Sequence, residues 1–208
     1  MKIHYLIGSM ILTAFVVLFG LAVASPASAL EFSTEEKARL REGEMVIRLL
    51  PTSGKKGFYG GSGYVVIDSP VDEVWKTLLN WSIYPDIFPH TKECTPLSRK
   101  GQRTLVKMVI GHPVARVQFH LNIVTNEKEK TLQFDLVPNY PSDLEMLQGF
   151  WRLFPQPGGR TLAAYVVSSR APMGLVILVG PELARSAIEM LLSIPGDVRK
   201  YMQAHESH

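Results

Sequence analysis

Apolar and polar side chains alternate plainly along the strand candidate 113–124. Ala115, Val117, Phe119, Leu121 and Ile123 fall on one side, and Arg116, Gln118, His120 and Asn122 on the other. A run of that period forms a strand with one dry face and one wet face, so the chain is bound to an antiparallel sheet that needs covering on one side. His120 belongs to the wet side by phase. The same pattern holds from Lys92 to Arg170, with strands expected near 92–98, 103–110, 149–154 and 162–169. Leu132, Phe134 and Leu136 mark one more. The polar run 126–130 and the Pro-Gln-Pro-Gly-Gly run 155–159 read as hairpin connections. The result is a meander of about six strands.

The cover is written at the end of the chain. Leu183, Ala184, Ala187, Ile188, Leu191 and Leu192 form an apolar helical stripe, with Glu182, Arg185, Ser186 and Glu189 off it. Pro195 lacks the backbone donor and is expected to kink or break this helix. Ahead of it, residues 174–180 carry no charge and are bounded by glycines. They form either a mobile apolar lid that touches a membrane during ligand entry or a buried strand end or helix entry.

Upstream of the meander, Ser33 and Glu36 are spaced as a capping box for a short helix that ends near Gly43. Residues 45–50 read as a strand. The glycines from Gly54 to Gly63 lack the spacing of a phosphate-binding loop and read as a turn with bulges. Residues 64–68 form the next strand. Ser69 is then placed to cap a helix with Pro70 at its first position, and Val71, Val74, Trp75, Leu78 and Leu79 share one face of it. Trp81, Tyr84 and Phe88 follow in a segment broken by Pro85 and Pro89.

Strand, two helices, meander and long helix together make an α+β arrangement, a curved antiparallel sheet wrapped around a C-terminal helix. At this point the residues Ser-Pro-Val-Asp-Glu-Val-Trp at 69–75 and Tyr-Pro-Asp-Ile-Phe-Pro at 84–89 carry a resemblance. Over about residues 60–204 the chain resembles the START/Bet v 1-like helix-grip (SRPBCC) superfamily. The similarity is greatest to its polyketide cyclase/dehydrase and coenzyme-Q-binding COQ10-like branch. The resemblance implies a deep apolar cavity between sheet and last helix, holding a lipid, sterol, quinone, polyketide or other hydrophobic ligand. It implies that Trp81, Tyr84 and Phe88 rim the entrance, the alternative being that they plug a helix corner.

If the apolar phase of each strand points inward, the lining candidates are Val106, Met108, Ile110, Val117, Phe119, Leu121, Phe134, Leu136, Trp151, Leu153 and Tyr165, with Ile188 and Leu191 from the last helix, most of them ordinary core. Tyr165 is the one inward residue of this set with a hydroxyl to hold a ligand's polar end. No nucleophile elbow, HExxH or paired-carboxylate motif occurs, so no catalytic residue is assigned. His90, His112 and His120 are scattered, and His205 and His208 lie in the tail, so no metal site is expected. No cofactor is expected either.

The expected function is therefore non-covalent binding of a hydrophobic small molecule or lipid. A polyketide cyclase or dehydratase is the runner-up, and a filled-core interaction module without a ligand is the third reading. With a net charge of +3 and no basic stripe, nucleic acid is not an expected partner.

Compartment is the remaining question. Lys2, the uncharged run 3–24 and Ala27-Ser28-Ala29 have the order of a secretory leader cleaved after residue 29. The run is also long enough to serve as an uncleaved anchor. Export, to the periplasm of a Gram-negative host, is the expectation. Cys94 is the only cysteine, so no intramolecular disulfide can form, and the thiol reads as a small apolar filler. The domain layout is residues 1–29 as leader, 30–57 as an N-terminal extension, 58–204 as the grip domain and 205–208 as a tail.

Overall fold

The computed structural model describes residues 30–50, 58–88, 90–112, 115–170 and 172–205, without the side chains of 112, 115 and 173–188. Residues 1–29, residues 51–57 and His208 lie outside the described residues, so the expectations placed there are not addressed by the structure. Residues 33–208 make one compact unit.

Its eight antiparallel strands are β1 (Val46–Leu49), β2 (Phe58–Ile67), β3 (Thr91–Lys100), β4 (Arg103–His112), β5 (Ala115–Asn126), β6 (Thr131–Leu136), β7 (Met146–Gln156) and β8 (Arg160–Arg170). They pair in the order β1-β2-β8-β7-β6-β5-β4-β3. The meander from β3 to β8 is as the alternation predicts, and β2 closes onto its last strand. Between β2 and β3 come α2 (Val71–Leu79), a 3-10 turn (Trp81–Ile83) and α3 (Tyr84–Ile87). Helix α1 (Thr34–Arg41) precedes β1, and α4 (Met173–His205) ends the chain. This is the expected grip: a sheet around a long C-terminal helix.

Four local expectations need correction. Helix α4 runs through Pro195 without a break. The loss of one helical donor is outweighed because Leu192, Val198 and Met202 on either side are buried. Ser69 does not cap α2. The extended backbone of Pro70 (φ −59°, ψ 147°) moves the cap one residue on, with no side-chain bond there. Ser69 is instead buried, its carbonyl accepting from Thr161 Oγ1 at 2.7 Å. Residues 174–180 are the opening turns of α4, which agrees with a helix entry and corrects the strand-end alternative.

The fourth correction concerns Gly60, Gly61 and Gly63, which form no turn but lie inside β2. A Cβ on Gly61 would sit 2.7 Å from Leu192 Cδ1, and one on Gly63 would overlap the Leu192 carbonyl oxygen. These positions let α4 rest its backbone on the sheet.

The N-terminal extension is tied to the same unit. The capping box of α1 forms as expected, Glu36 N–H donating to Ser33 Oγ at 3.1 Å and Ser33 N–H to Glu36 Oε2 at 2.8 Å. Arg48 on β1 donates Nε and Nη2 to the two oxygens of Glu36, both at 2.8 Å. Arg199 of α4 donates to the Gly43 carbonyl behind α1. On the other side, Trp75 of α2 donates its indole N–H to Glu127 in the β5–β6 turn. Lys130, 5.6 Å above the Trp75 ring, bonds both Asp72 and Glu127.

Two outcomes are expected. Gly63→Ala should lower the urea-unfolding free energy by about 1–3 kcal/mol, the usual range for overpacking, and an unchanged midpoint would contradict the close helix–sheet approach. The Arg48 bond holds the Glu36 carboxyl down from 4.5 to about 2. A depressed carboxylate adds stability that is present above its unfolded value and lost as pH falls through its folded one. Wild type should thus be more stable than Glu36→Gln at pH 6. Acid melts followed by circular dichroism should show the difference shrinking between pH 4.5 and about 2.

Candidate functional site

Helix α4 covers β2 and β8. Beside it, an internal cavity of about 110 Å³ opens between the helix, the sheet and the α3–β3 corner. Its walls follow from strand phase. Met108 and Ile110 of β4 face it, beside Phe119, Leu121 and Ile123 of β5. Leu132 and Phe134 of β6, Leu147 and Trp151 of β7, and Tyr165 of β8 continue the wall. Registers align these residues in rows, Met108 opposite Phe119 and Trp151 opposite Tyr165. The Tyr165 ring lies 4.7 Å from Trp151 and 6.0 Å from Phe134, a shared aromatic floor.

The α3 corner supplies the other wall. Tyr84 and Phe88 are buried and line the cavity, their rings edge-on at 4.9 Å. Tyr84 donates its hydroxyl to the Leu78 carbonyl at 2.7 Å, closing the end of α2. Trp81 packs on Tyr84 at 5.3 Å and is not among the lining residues. Two aromatics of the segment thus stand in the cavity wall, and the third packs on Tyr84 outside the lining. Leu191 lines the cavity from α4, while the Ile188 side chain lies outside the described residues.

Sequence reasoning passed over the polar members of the lining. His90 and Thr91 follow α3, and Asp197 comes from α4 together with Met190 and Ile194. Asp197 lies three residues beyond Ile194 and seven beyond Met190, so helical spacing alone puts it on the cavity stripe. That signal was legible. Its side chain is 20% exposed and its Oδ1 stands 3.8 Å from Lys200 Nζ. Burial raises its pKa, with the charges of Lys200 and His90 opposing.

Two hydroxyls stand out in this setting. Tyr165 is 4% exposed and Thr91 6% exposed. Both line the cavity, and neither hydroxyl has a hydrogen-bond partner among the described residues. Both residues border the cavity space, where a water or a ligand atom can reach them, whereas the sealed-off side-chain oxygen without a partner among the described residues is Ser69 Oγ. Burial pushes the Tyr165 phenol well up, which keeps it a donor.

The other sequence candidates fall elsewhere. His120, expected on the wet face, is buried at 6% exposure, its Nδ1–H donating to the Pro141 carbonyl at 3.1 Å. The segment after β6 folds across that face and brings the Tyr140 ring to 4.8 Å. Cys94 is buried on β3, its thiol pushed up to about 12 by burial, so it is a filler held in the thiol form. His205 closes α4 with Nδ1 donating to the Tyr201 carbonyl at 2.8 Å. Among the described residues no cluster of histidine, cysteine and carboxylate side chains is arranged to hold a metal.

Comparison with known proteins places this geometry. Residues 67–192 match the family model described as polyketide cyclase/dehydrase and lipid transport. Among solved structures, a protein from Thermus thermophilus is similar at 14% identity with a TM-score of 0.61, covering 70% of this chain and 97% of that one. A STAR-related lipid transfer protein from Xanthomonas axonopodis is similar at 14% identity and TM-score 0.58, covering 76% and 93%. The Zhui aromatase/cyclase from a Streptomyces species is similar at 19% identity and TM-score 0.53, covering 68% and 86%. No curated protein matches. The family match spans more than half of the sequence, and the chain belongs to the polyketide cyclase/dehydrase and lipid transport family.

Proposed function

We propose that this protein takes up a hydrophobic small molecule or lipid non-covalently between sheet and α4, as an exported binding protein. The fold is one for hydrophobic ligands. The single observation that carries the finer reading is the pair of hydroxyls without protein partners, Thr91 and Tyr165, in a mostly apolar, aromatic-floored cavity whose other polar lining is His90 and Asp197. Apolar walls supply affinity at about 25 cal/mol per Å² of buried surface. Two hydroxyls fix the orientation of one polar end.

Size sharpens the reading. Cavities that enclose a whole drug-sized ligand span about 300–1,000 Å³, whereas this one offers about 110 Å³. At rest it suits one ring or a short acyl stretch. A sterol, quinone or lipid would enter with part of itself outside or with α4 displaced. The export reading rests on the leader-like order of residues 1–29.

The first experiment is native mass spectrometry of the protein purified from its own host. An adduct removable by organic solvent is expected, weakened in a Thr91→Val/Tyr165→Phe variant, on a chain whose mass begins at Leu30. A mass that stays unliganded after incubation with host lipid extract would overturn the reading, and a full-length mass in the membrane fraction would overturn cleavage. A cyclase or dehydratase is the second reading, favoured by the buried donor of Tyr165, which suits a carbonyl oxygen. It predicts that the extracted compound returns chemically changed after incubation with fresh protein.

Loading from a bilayer would use the uncharged opening of α4, residues 174–180. Ile177→Asp with Leu178→Asp is expected to abolish liposome association while the far-ultraviolet spectrum holds; unchanged association would remove the membrane from the scheme.

A further inference from the structure

The cavity is apolar except at one end, where Asp197 of α4 and His90 at the α3–β3 corner line it together. Among the described lining residues there is no lysine or arginine. The ammonium nearest Asp197, that of Lys200, is 76% exposed and 3.8 Å away, a weak offset for a carboxylate that is mostly withdrawn from water. The sequence puts Arg185 of the same helix off the apolar stripe. From the facing elements, Tyr84 and Tyr165 bring only phenols that burial keeps uncharged.

We propose that Asp197 is a charge filter that sets the ligand class: neutral, oxygen-bearing amphiphiles are admitted and anionic ones, such as carboxylates and phosphate-headed lipids, are rejected. The inference rests on the ligand-binding reading above. A fixed negative charge inside a partly dry cavity repels a second one far more strongly than it would in water. A hydroxyl or carbonyl on a neutral ligand meets no such opposition and finds Thr91 and Tyr165 without partners. Asp197 then acts by exclusion, and the two hydroxyls act by acceptance, which is how binding sites ordinarily divide specificity.

Benzyl alcohol and benzoate test this, because each carries one ring and one polar group and suits the resting cavity. Their binding is followed by backbone amide shifts at pH 8, where histidines are ordinarily neutral and carboxylates charged. Wild type is expected to bind the alcohol at least about tenfold more tightly than benzoate. Asp197→Asn should narrow that ratio about tenfold by improving benzoate alone, and Asp197→Glu should keep it. If Asp197→Asn does not fold, Asp197→Ser is read in its place.

An unchanged ratio in the uncharged variant would show that dehydration of the anion, not Asp197, sets the preference, and would overturn the filter while leaving ligand binding intact. Binding of neither probe to the cavity residues would overturn the ligand reading and the filter with it.

Discussion

Where α4 crosses β2 at Gly61 and Gly63, the strand puts no side chain between itself and the helix. Gly61 and Gly63 leave the strand bare, and the Leu192 carbonyl and side chain settle directly onto it. Helices packed through ordinary side chains stand about 10 Å off a sheet or more. Here one margin of the sheet is clamped tight. The helix closes on β2 and β8, and the cavity lies beside that contact, against β4 to β7. The glycines therefore shape a pocket whose wall they do not form.

The walls show how one alternation is used twice. Inward residues of β5 serve as core where they meet neighbours and as lining where they meet none. Phe119 and Leu121 are buried in both senses, since burial in a cavity excludes bulk water as packing does. The polar end differs in kind. It is assembled from α3–β3 and α4, segments more than ninety residues apart in the chain, with Asp197 opposed by the exposed Lys200 and by His90.

Local rules carried much of this. The capping box at Ser33 and Glu36, the meander and the amphipathic ending are visible because period and cap chemistry depend on near neighbours. So were most cavity residues, since strand phase assigns Phe119, Phe134, Trp151 and Tyr165 to one side. What phase cannot supply is the cover. His120 has the phase of a wet residue and is buried because residues 137–143 return over it, with the Val137 N–H donating to the His120 carbonyl at 3.0 Å. Pro195 breaks a helix in isolation and not in this packing, and the β2 glycines look like a turn until the helix they receive is known. Asp197 was legible from spacing, but its meaning depends on an empty space that spacing does not report.

Tyr84 takes part in two balances at once. Its ring is cavity wall, and its hydroxyl ties off the last carbonyls of α2 through Leu78. Helix ends left without such a donor fray. One side chain therefore serves both the cavity wall and the α2 terminus. That helix is in turn moored by Trp75 to the β5–β6 turn on the far side of the molecule. Cavity wall, helix terminus and surface turn are thereby joined by one short run of contacts, Tyr84 to Leu78 and Trp75 to Glu127.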